Sequence, residues 1–186
     1  MSDADKLKRA QSLVGTSKDR PPEDYYPTPR NAIEALLKAE KFDGDIWEPA
    51  CGDGAISKVL KEHGYEVRST DLIDRGYGEG GHDFLWATDT ATNIITNPPY
   101  NIAQPFIEKA LSLTSGKVAM LCKLQFLEGV KRRKMFETTP LARVHVFSKR
   151  IKMARNGIDI YSSSMIAFSW LVWEHGYEGD PVLKWI

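Results

Sequence analysis

The chain has 186 residues, the length of one domain with a single sizeable core. Its 42% hydrophobic and 27% charged content excludes a collagen-like repeat, a disordered tail protein and a disulfide scaffold. Lys plus Arg balance Asp plus Glu at 25 each, yet residues 115–160 hold 11 of the basic residues and 3 of the acidic ones, so one face is expected to be basic and suited to a phosphate backbone. Cys51 and Cys122 are the only cysteines. With His63, His82, His145 and His175 they form no C-x-x-C or H-x-x-x-H pair, so no metal site is expected and a reducing, cytoplasmic location is. Neither a signal-peptide core nor a run of roughly 18 apolar residues occurs, so no membrane partner is expected.

Residues 1–20 are polar, lack apolar spacing and end at Pro21 and Pro22, which predicts a mobile arm before a single domain over 21–186. TPRNAIEALLKAEKF predicts a helix capped by Thr28, with Pro29 in its first turn and Ile33, Leu36 and Leu37 on its apolar face. DIWEPACGDGAISKVLKEHGY predicts a strand, a glycine loop and a helix with Ile56, Val59, Leu60 and His63 inward, closed by Gly64. YEVRSTDL then gives a strand ending at Asp71, and TNIIT a strand ending just before Asn97. NIAQPFIEKALSL is expected to be helical from about Pro105, with Phe106, Ile107, Ala110 and Leu111 inward. GKVAMLCKL follows as a buried strand, Gly129 to Thr138 as a helix, RVHVFS as a strand, and MIAFSWLVW as the last strand after a polar stretch through Asn156 and Gly157. The alternation predicts an α/β domain with a mostly parallel sheet, an antiparallel hairpin of the last two strands at one edge, and ligands at the carboxyl ends of the strands.

Asn97-Pro98-Pro99-Tyr100 directly follows a hydrophobic strand, which places it in that crevice. The prolines have fixed φ and no N–H, so the segment presents carbonyl oxygens from a stiff backbone, and Asn97 adds a side-chain carbonyl. Two converging acceptors suit an aromatic exocyclic amine, whose lone pair is delocalised. Accepting from both its N–H bonds favours the tetrahedral nitrogen formed during attack. Tyr100 is a stacking surface for the base. Upstream, Gly52 and Gly54 allow close approach of backbone to a ligand, and their place between strand and helix leaves N–H groups for it. Asp71, 17 residues past Gly54, is placed to accept both hydroxyl hydrogens of a ribose. The loop lacks a G-K-S/T ending, which excludes a phosphate loop.

These segments, from about Tyr25 onward, resemble the S-adenosylmethionine-dependent amino-methyltransferases with an N/D/S-P-P-Y/F/W motif, in particular small phage-like adenine-type DNA methyltransferases. The resemblance implies a Rossmann-like class I methyltransferase domain without a separate target-recognition domain, and S-adenosylmethionine as cofactor. Tyr26, Thr28 and Pro29 match the Y-x-T-P element beside the cofactor's methionine end, and Glu48, Pro49, Ala50, Cys51, Gly52, Asp53 and Gly54 match the D/E-P-x-C-G-x-G loop. Asp83 and Phe84 match the acid and apolar neighbour at the cofactor's adenine, and Asn97 falls where cofactor and target amine meet. Glu48, Asp53, Asp71 and Asp83 then offset the cationic sulfonium. No general base is needed, because the methylated amine is a strong acid, so His82 and His145 are expected to be structural or solvent-facing.

The family extrudes its target base from the duplex. Tyr100 supplies one stacking surface, and Met153 or preferably Tyr161 the second, although Ile151-Lys152-Met153 departs from the aromatic residue common in relatives. Lys131, Arg132, Arg133 and Lys134 are the first candidates for phosphate contacts, followed by Lys149, Arg150, Lys152 and Arg155. Trp170 and Trp173 read as core residues. The substrate expected is DNA, at adenine before cytosine, with RNA or a protein glutamine as alternatives and a catalytically silent partner subunit as the alternative of another class. Restriction avoidance or genome marking on a phage or mobile element is the role implied, with a short or relaxed target sequence or dependence on a partner for selectivity, since 86 residues follow Tyr100.

Overall fold

The computed structural model describes residues 25–153 and 166–186. The expectations for the N-terminal arm, Arg155 and Tyr161 lie outside these residues. In chain order the elements are α1 (Arg30–Ala39), β1 (Ile46–Glu48), α2 (Ala55–Glu62), β2 (Val67–Ser69), β3 (Asn93–Thr96), α3 (Ala103–Leu113), β4 (Lys117–Lys123), α4 (Val130–Thr138), β5 (Leu141–Val146), β6 (Phe168–Glu174) and β7 (Val182–Trp185).

The strands form one sheet in the order β2-β1-β3-β4-β6-β5-β7. All run parallel except β6, which is antiparallel to both β4 and β5. The antiparallel pair of β5 and β6 is thus present on one side of the sheet, and β7 adds a parallel rim beyond it that the sequence did not announce. PVLKW is short, polar at Lys184 and exposed throughout, so it carries no buried-strand signature. From β1 the chain passes outward to β2 and then back to β3 on β1's other side, so the order reverses between β1 and β3. This is the point at which a crevice opens outside the carboxyl ends of the strands.

Alternation along the strands sends side chains to two packed faces. On one, Trp47, Ile94, Met120 and Trp173 pack with Phe106, Ile107 and Ala110 of α3 and Met135 of α4. On the other, Ile95, Leu121 and Trp170 pack with Ile33 and Leu36 of α1 and Ile56, Val59 and Leu60 of α2. Trp170 and Trp173 are fully buried, with Trp170 Nε1 donating to the Ala32 carbonyl at 2.9 Å and Trp173 Nε1 to Thr139 Oγ1 at 3.0 Å. Two expectations shift. His63 is exposed: it caps the C-terminus of α2, with Nδ1 2.9 Å from the Val59 carbonyl, because Gly64 at φ +85° turns the chain away there. α3 begins at Ala103, two residues before Pro105, since proline is tolerated in a first turn.

At the end of the sheet away from the crevice lies a buried ion cluster around Glu40. Its carboxylate accepts from Lys117 Nζ at 2.9 Å, Arg143 Nη2 at 2.9 Å and Arg143 Nε, and His145 Nε2 lies 2.8 Å away. Arg143 also reaches Glu174 at 2.5 Å. Burial alone would raise the Glu40 carboxyl, but hydrogen bonds from His145, Arg143 and Lys117 outweigh it and hold the pKa at about 2. His145 is therefore structural.

Candidate active site

Asn97 leaves β3 at the switch point. Its Nδ2 donates to the Tyr26 carbonyl at 3.1 Å, which fixes the amide plane and joins segments 71 residues apart. Its Oδ1 is buried and has no hydrogen-bond partner among the described residues. Since buried acceptors are almost always paired, an oriented amide with an open oxygen marks a place kept for a donor. Pro98 is buried and Pro99 exposed, with the Pro99 carbonyl accepting from Ile102 N–H at 3.1 Å. The half-buried Tyr100 ring has Tyr26 at 6.1 Å, Phe168 at 6.0 Å and Lys123 Nζ 5.0 Å from its centroid. Thr28 is buried just before α1.

The glycine loop after β1 differs from expectation. Gly52 N–H donates to Asp71 Oδ2 at 2.8 Å, Asp53 N–H to the Tyr25 hydroxyl at 3.1 Å, Gly54 N–H to the Cys51 carbonyl at 2.8 Å, and Ala55 N–H to Asp53 Oδ1 at 3.1 Å. These N–H groups are engaged within the chain. A Cβ on Gly52 would lie 2.2 Å from the Tyr25 ring, and one on Gly54 2.4 Å from the Tyr77 ring, so two tyrosines make the close approaches that the glycines allow. The Arg75 guanidinium covers Tyr25 at 4.7 Å, and Tyr25 donates to Asp53 Oδ1 at 2.5 Å. Burial and the Asp53 carboxylate raise the Tyr25 pKa, so its hydroxyl stays protonated. Tyr25 and Tyr77 were not singled out from the sequence, because neither stands at a motif position.

Asp71, at the end of β2, is half-exposed and accepts from Gly52 N–H and, at 2.9 Å, from Ile73 N–H. Each carboxylate oxygen has a further lone pair, so the group remains able to accept from a diol. Asp71→Ala is expected to weaken cofactor binding by about 1–3 kcal/mol through lost charged hydrogen bonds, which calorimetry measures directly. An unchanged affinity would remove Asp71 from the site.

Glu48 is only 1% exposed and points beneath the loop, accepting from Ser57 N–H at 2.8 Å and from the Ser57 hydroxyl. Burial pushes its carboxyl up to about 8, against the opposing effect of the two Ser57 hydrogen bonds. Asp53, Asp71 and Asp83 carry the negative charge near the loop. Cys51 is buried, with its thiol 3.4 Å from the Tyr77 carbonyl and its pKa pushed up to about 12 by burial and by Glu48 and Asp71. Ala50 packs on the core beside it.

Asp83 is exposed and caps the turn Phe84–Trp86, accepting from Leu85 N–H at 3.0 Å, while His82 N–H donates to the Asp71 carbonyl and so brings Asp83 beside the end of β2. Phe84 is 2% exposed, its ring 5.1 Å from Trp47 and 4.4 Å from Phe106. It belongs to the core and has no open face for a ligand ring, against expectation. Trp86, 84% exposed, is the aromatic residue of this turn that faces solvent.

Because β4 and β5 run parallel to β3, the basic segments that follow them lie on the rim that carries Asn97. Lys131, Arg133 and Lys134 on α4, and Lys149, Arg150 and Lys152 after β5, are exposed there. Arg132 departs from expectation. Its Nε donates to the Phe126 carbonyl at 2.8 Å, its Nη2 donates to the Glu128 carbonyl, and the guanidinium lies 4.8 Å over the Phe126 ring, so it organises its own loop. Arg133 is paired with Glu137 at 2.6 Å. Ile151 is buried and Met153 half-buried against the core cluster that Tyr100 joins. Among the described residues no group of three His, Cys, Asp or Glu is placed to hold a metal, and no helix is long and apolar enough to cross a membrane.

No protein-family model and no curated protein sequence matches the chain. Solved structures do. The modification subunit of a proposed type I restriction enzyme from Vibrio vulnificus superposes with a TM-score of 0.61 at 14% identity, over 98% of this chain and 50% of the subunit. The chain thus spans half of that protein's length. A proposed RNA methyltransferase from Pyrococcus horikoshii gives 0.64 at 16% identity over 92% of this chain and 98% of that one. Magnesium protoporphyrin IX methyltransferase from Synechocystis, with S-adenosylmethionine bound, gives 0.55 at 11% identity over 91% and 90%. The chain has the Rossmann-like α/β fold of the S-adenosylmethionine-dependent methyltransferases.

Proposed function

We propose that the chain transfers a methyl group from S-adenosylmethionine to the exocyclic amine of a DNA base, adenine foremost. The observation that carries this reading is the oriented Asn97 amide, whose buried oxygen lacks a donor at the switch point of the sheet. The residues present fit the cofactor: Asp71 has lone pairs to spare at the end of β2, the loop from Ala50 to Gly54 lies beside it, and Asn97 holds the Tyr26 carbonyl at the end of β3. When bound, this cofactor supplies a methyl group made electrophilic by a sulfonium.

Asn97 Oδ1 and the Pro98 carbonyl accept the two N–H bonds of the target amine. This draws the nitrogen toward tetrahedral geometry and localises its lone pair for attack. The nitrogen becomes positively charged as the new N–C bond forms, and it returns to neutrality by releasing a proton to water. Tyr100 packs on the base, and Asp53, Asp71 and Asp83 favour the cationic cofactor over its neutral product.

Nucleic acid is supported by the basic rim of α4 and residues 149–152 on the Asn97 side of the sheet. DNA in particular is supported by the Vibrio neighbour, and the Pyrococcus neighbour favours RNA as the second reading. If Lys131 and Lys134 contact phosphates, replacing both with alanine will weaken binding to all sequences alike and flatten the salt dependence by about 0.9 in log–log slope per contact. The wild-type slope in that variant would make α4 a merely solvated face. The substrate class is tested by offering labelled methyl donor with DNA, RNA and a glutamine peptide. Label in DNA is expected, and label confined to the peptide would overturn the reading.

A further inference from the structure

We infer that Val130 is the side chain that enters the DNA duplex and fills the gap left when the target base is extruded, with Lys131 and Lys134 on the neighbouring phosphates. The inference deepens the proposed function and rests on it. Val130 opens α4 just before its basic run, and it belongs to neither packed face of the sheet.

Its position follows from the sheet. β4 runs parallel to β3 and ends at Lys123, on the rim that carries Asn97. β5, parallel to β4 in turn, begins at Leu141 at the opposite end. α4 therefore runs from the rim back down the sheet, with Met135 packed in the core on the way, and its first residue stands at the rim. There Val130 is 92% exposed, more than any other large apolar side chain among the described residues.

The segment that presents it is braced. Arg132 Nε donates to the Phe126 carbonyl at 2.8 Å and Nη2 to the Glu128 carbonyl, and the N–H groups of Arg132 and Arg133 donate to the Gly129 carbonyl at 3.1 and 3.2 Å. Val130 sits between these anchors, so an apolar side chain is held out in water by its neighbours' hydrogen bonds. An isopropyl group gains nothing from that placement in water, but it does inside a duplex. Extruding a base costs its pairing and stacking and leaves a gap between apolar ring faces, which an apolar wedge can occupy. The charge around the wedge suits the same partner: over 124–134 one acidic residue, Glu128, stands against Lys131, Arg132, Arg133 and Lys134. A glutamine side chain on a protein offers neither a stack to enter nor phosphates.

The test uses the full chain and a duplex that the wild type methylates, in two forms: one with the target adenine paired to thymine, the other with it facing an abasic site, where extrusion breaks no pair. Val130→Ala is expected to lose about 10- to 100-fold in kcat/KM on the paired form, the scale of one apolar side chain removed from contact, and less than about threefold on the other. Val130→Leu should keep most of the wild-type rate. With 2-aminopurine in place of the target adenine, saturating Val130→Ala should raise the fluorescence less than the wild type does. Because Val130 is almost wholly exposed, the alanine variant should melt at the wild-type temperature. Full activity of Val130→Ala on the paired duplex, equal losses on both forms, or an equal rise in 2-aminopurine fluorescence would each overturn the inference and leave the substrate reading standing. Absence of wild-type transfer to any DNA would overturn the two together.

Discussion

Asn97→Ala is expected to lower kcat by about 100- to 1,000-fold, the scale seen when one oriented group that stabilises a transition state is removed. Cofactor affinity measured by calorimetry should fall far less than kcat, because the Asn97 oxygen is kept for the target amine and the lost Nδ2 bond to the Tyr26 carbonyl acts on the cofactor only through the segment before α1. Asn97→Asp separates the two halves of the amide: it keeps an acceptor but loses the donor to Tyr26, and the carbonyl of Tyr26 then faces a carboxylate. That variant should retain more activity than alanine while loosening the segment before α1. A large loss of cofactor affinity in Asn97→Ala with kcat preserved would assign Asn97 to the cofactor instead.

Arg143→Met is expected to destabilise the fold by about 1.5–3 kcal/mol, because it removes the guanidinium bonds to the buried Glu40 carboxylate, which keeps only Lys117 and His145, and releases Glu174. Catalysis well below the melting temperature should be unaffected, since the cluster sits at the far end of the sheet from Asn97. The same cluster sets an acid response. The Glu40 pKa is about 2 in the fold against 4.5 ordinarily, so its stabilising contribution is complete above pH 4.5 and is lost as pH falls toward 2. The size is about 3 kcal/mol by linkage. Urea unfolding at a series of pH values checks this: the wild-type stability should fall more steeply in that window than that of Glu40→Gln, and parallel curves would contradict it.

How far the site was legible depended on whether a residue's role was set locally. Asn97-Pro98-Pro99-Tyr100 could be placed because a hydrophobic strand ends immediately before it, and Asp71 because β2 ends two residues earlier, at Ser69. Both are properties of a strand and the residue after it. Glu48 was visible as a motif residue but not as one whose carboxyl pKa is raised by burial, because its surroundings are Ser57 on α2 and its cross-strand neighbour Ser69 on β2. Phe84 was misassigned for a similar reason: an apolar residue beside an acid reads the same whether its ring faces a ligand or, as here, Trp47 and Phe106. Gly52 and Gly54 read as places for close approach of a ligand, whereas the groups that approach them within the chain are Tyr25, 27 residues before Gly52, and Tyr77, 23 after Gly54. Arg132 could not be told from Lys131 within a basic run, since only the fold shows its guanidinium turned back on the Phe126 and Glu128 carbonyls. β7 escaped because an exposed edge strand needs no apolar alternation.

The central claim is that Asn97 and Pro98 activate an exocyclic amine of a base, and the position of the transferred methyl group tests it most directly. DNA methylated by the purified protein, digested to nucleosides and resolved by mass and retention against standards, should yield N6-methyladenine, with the product absent in Asn97→Ala. N4-methylcytosine would keep the chemistry and change the base. A methyl group on a ring carbon, a ring nitrogen or a sugar oxygen would contradict the account, because none of those acceptors presents two N–H bonds to the paired carbonyl oxygens.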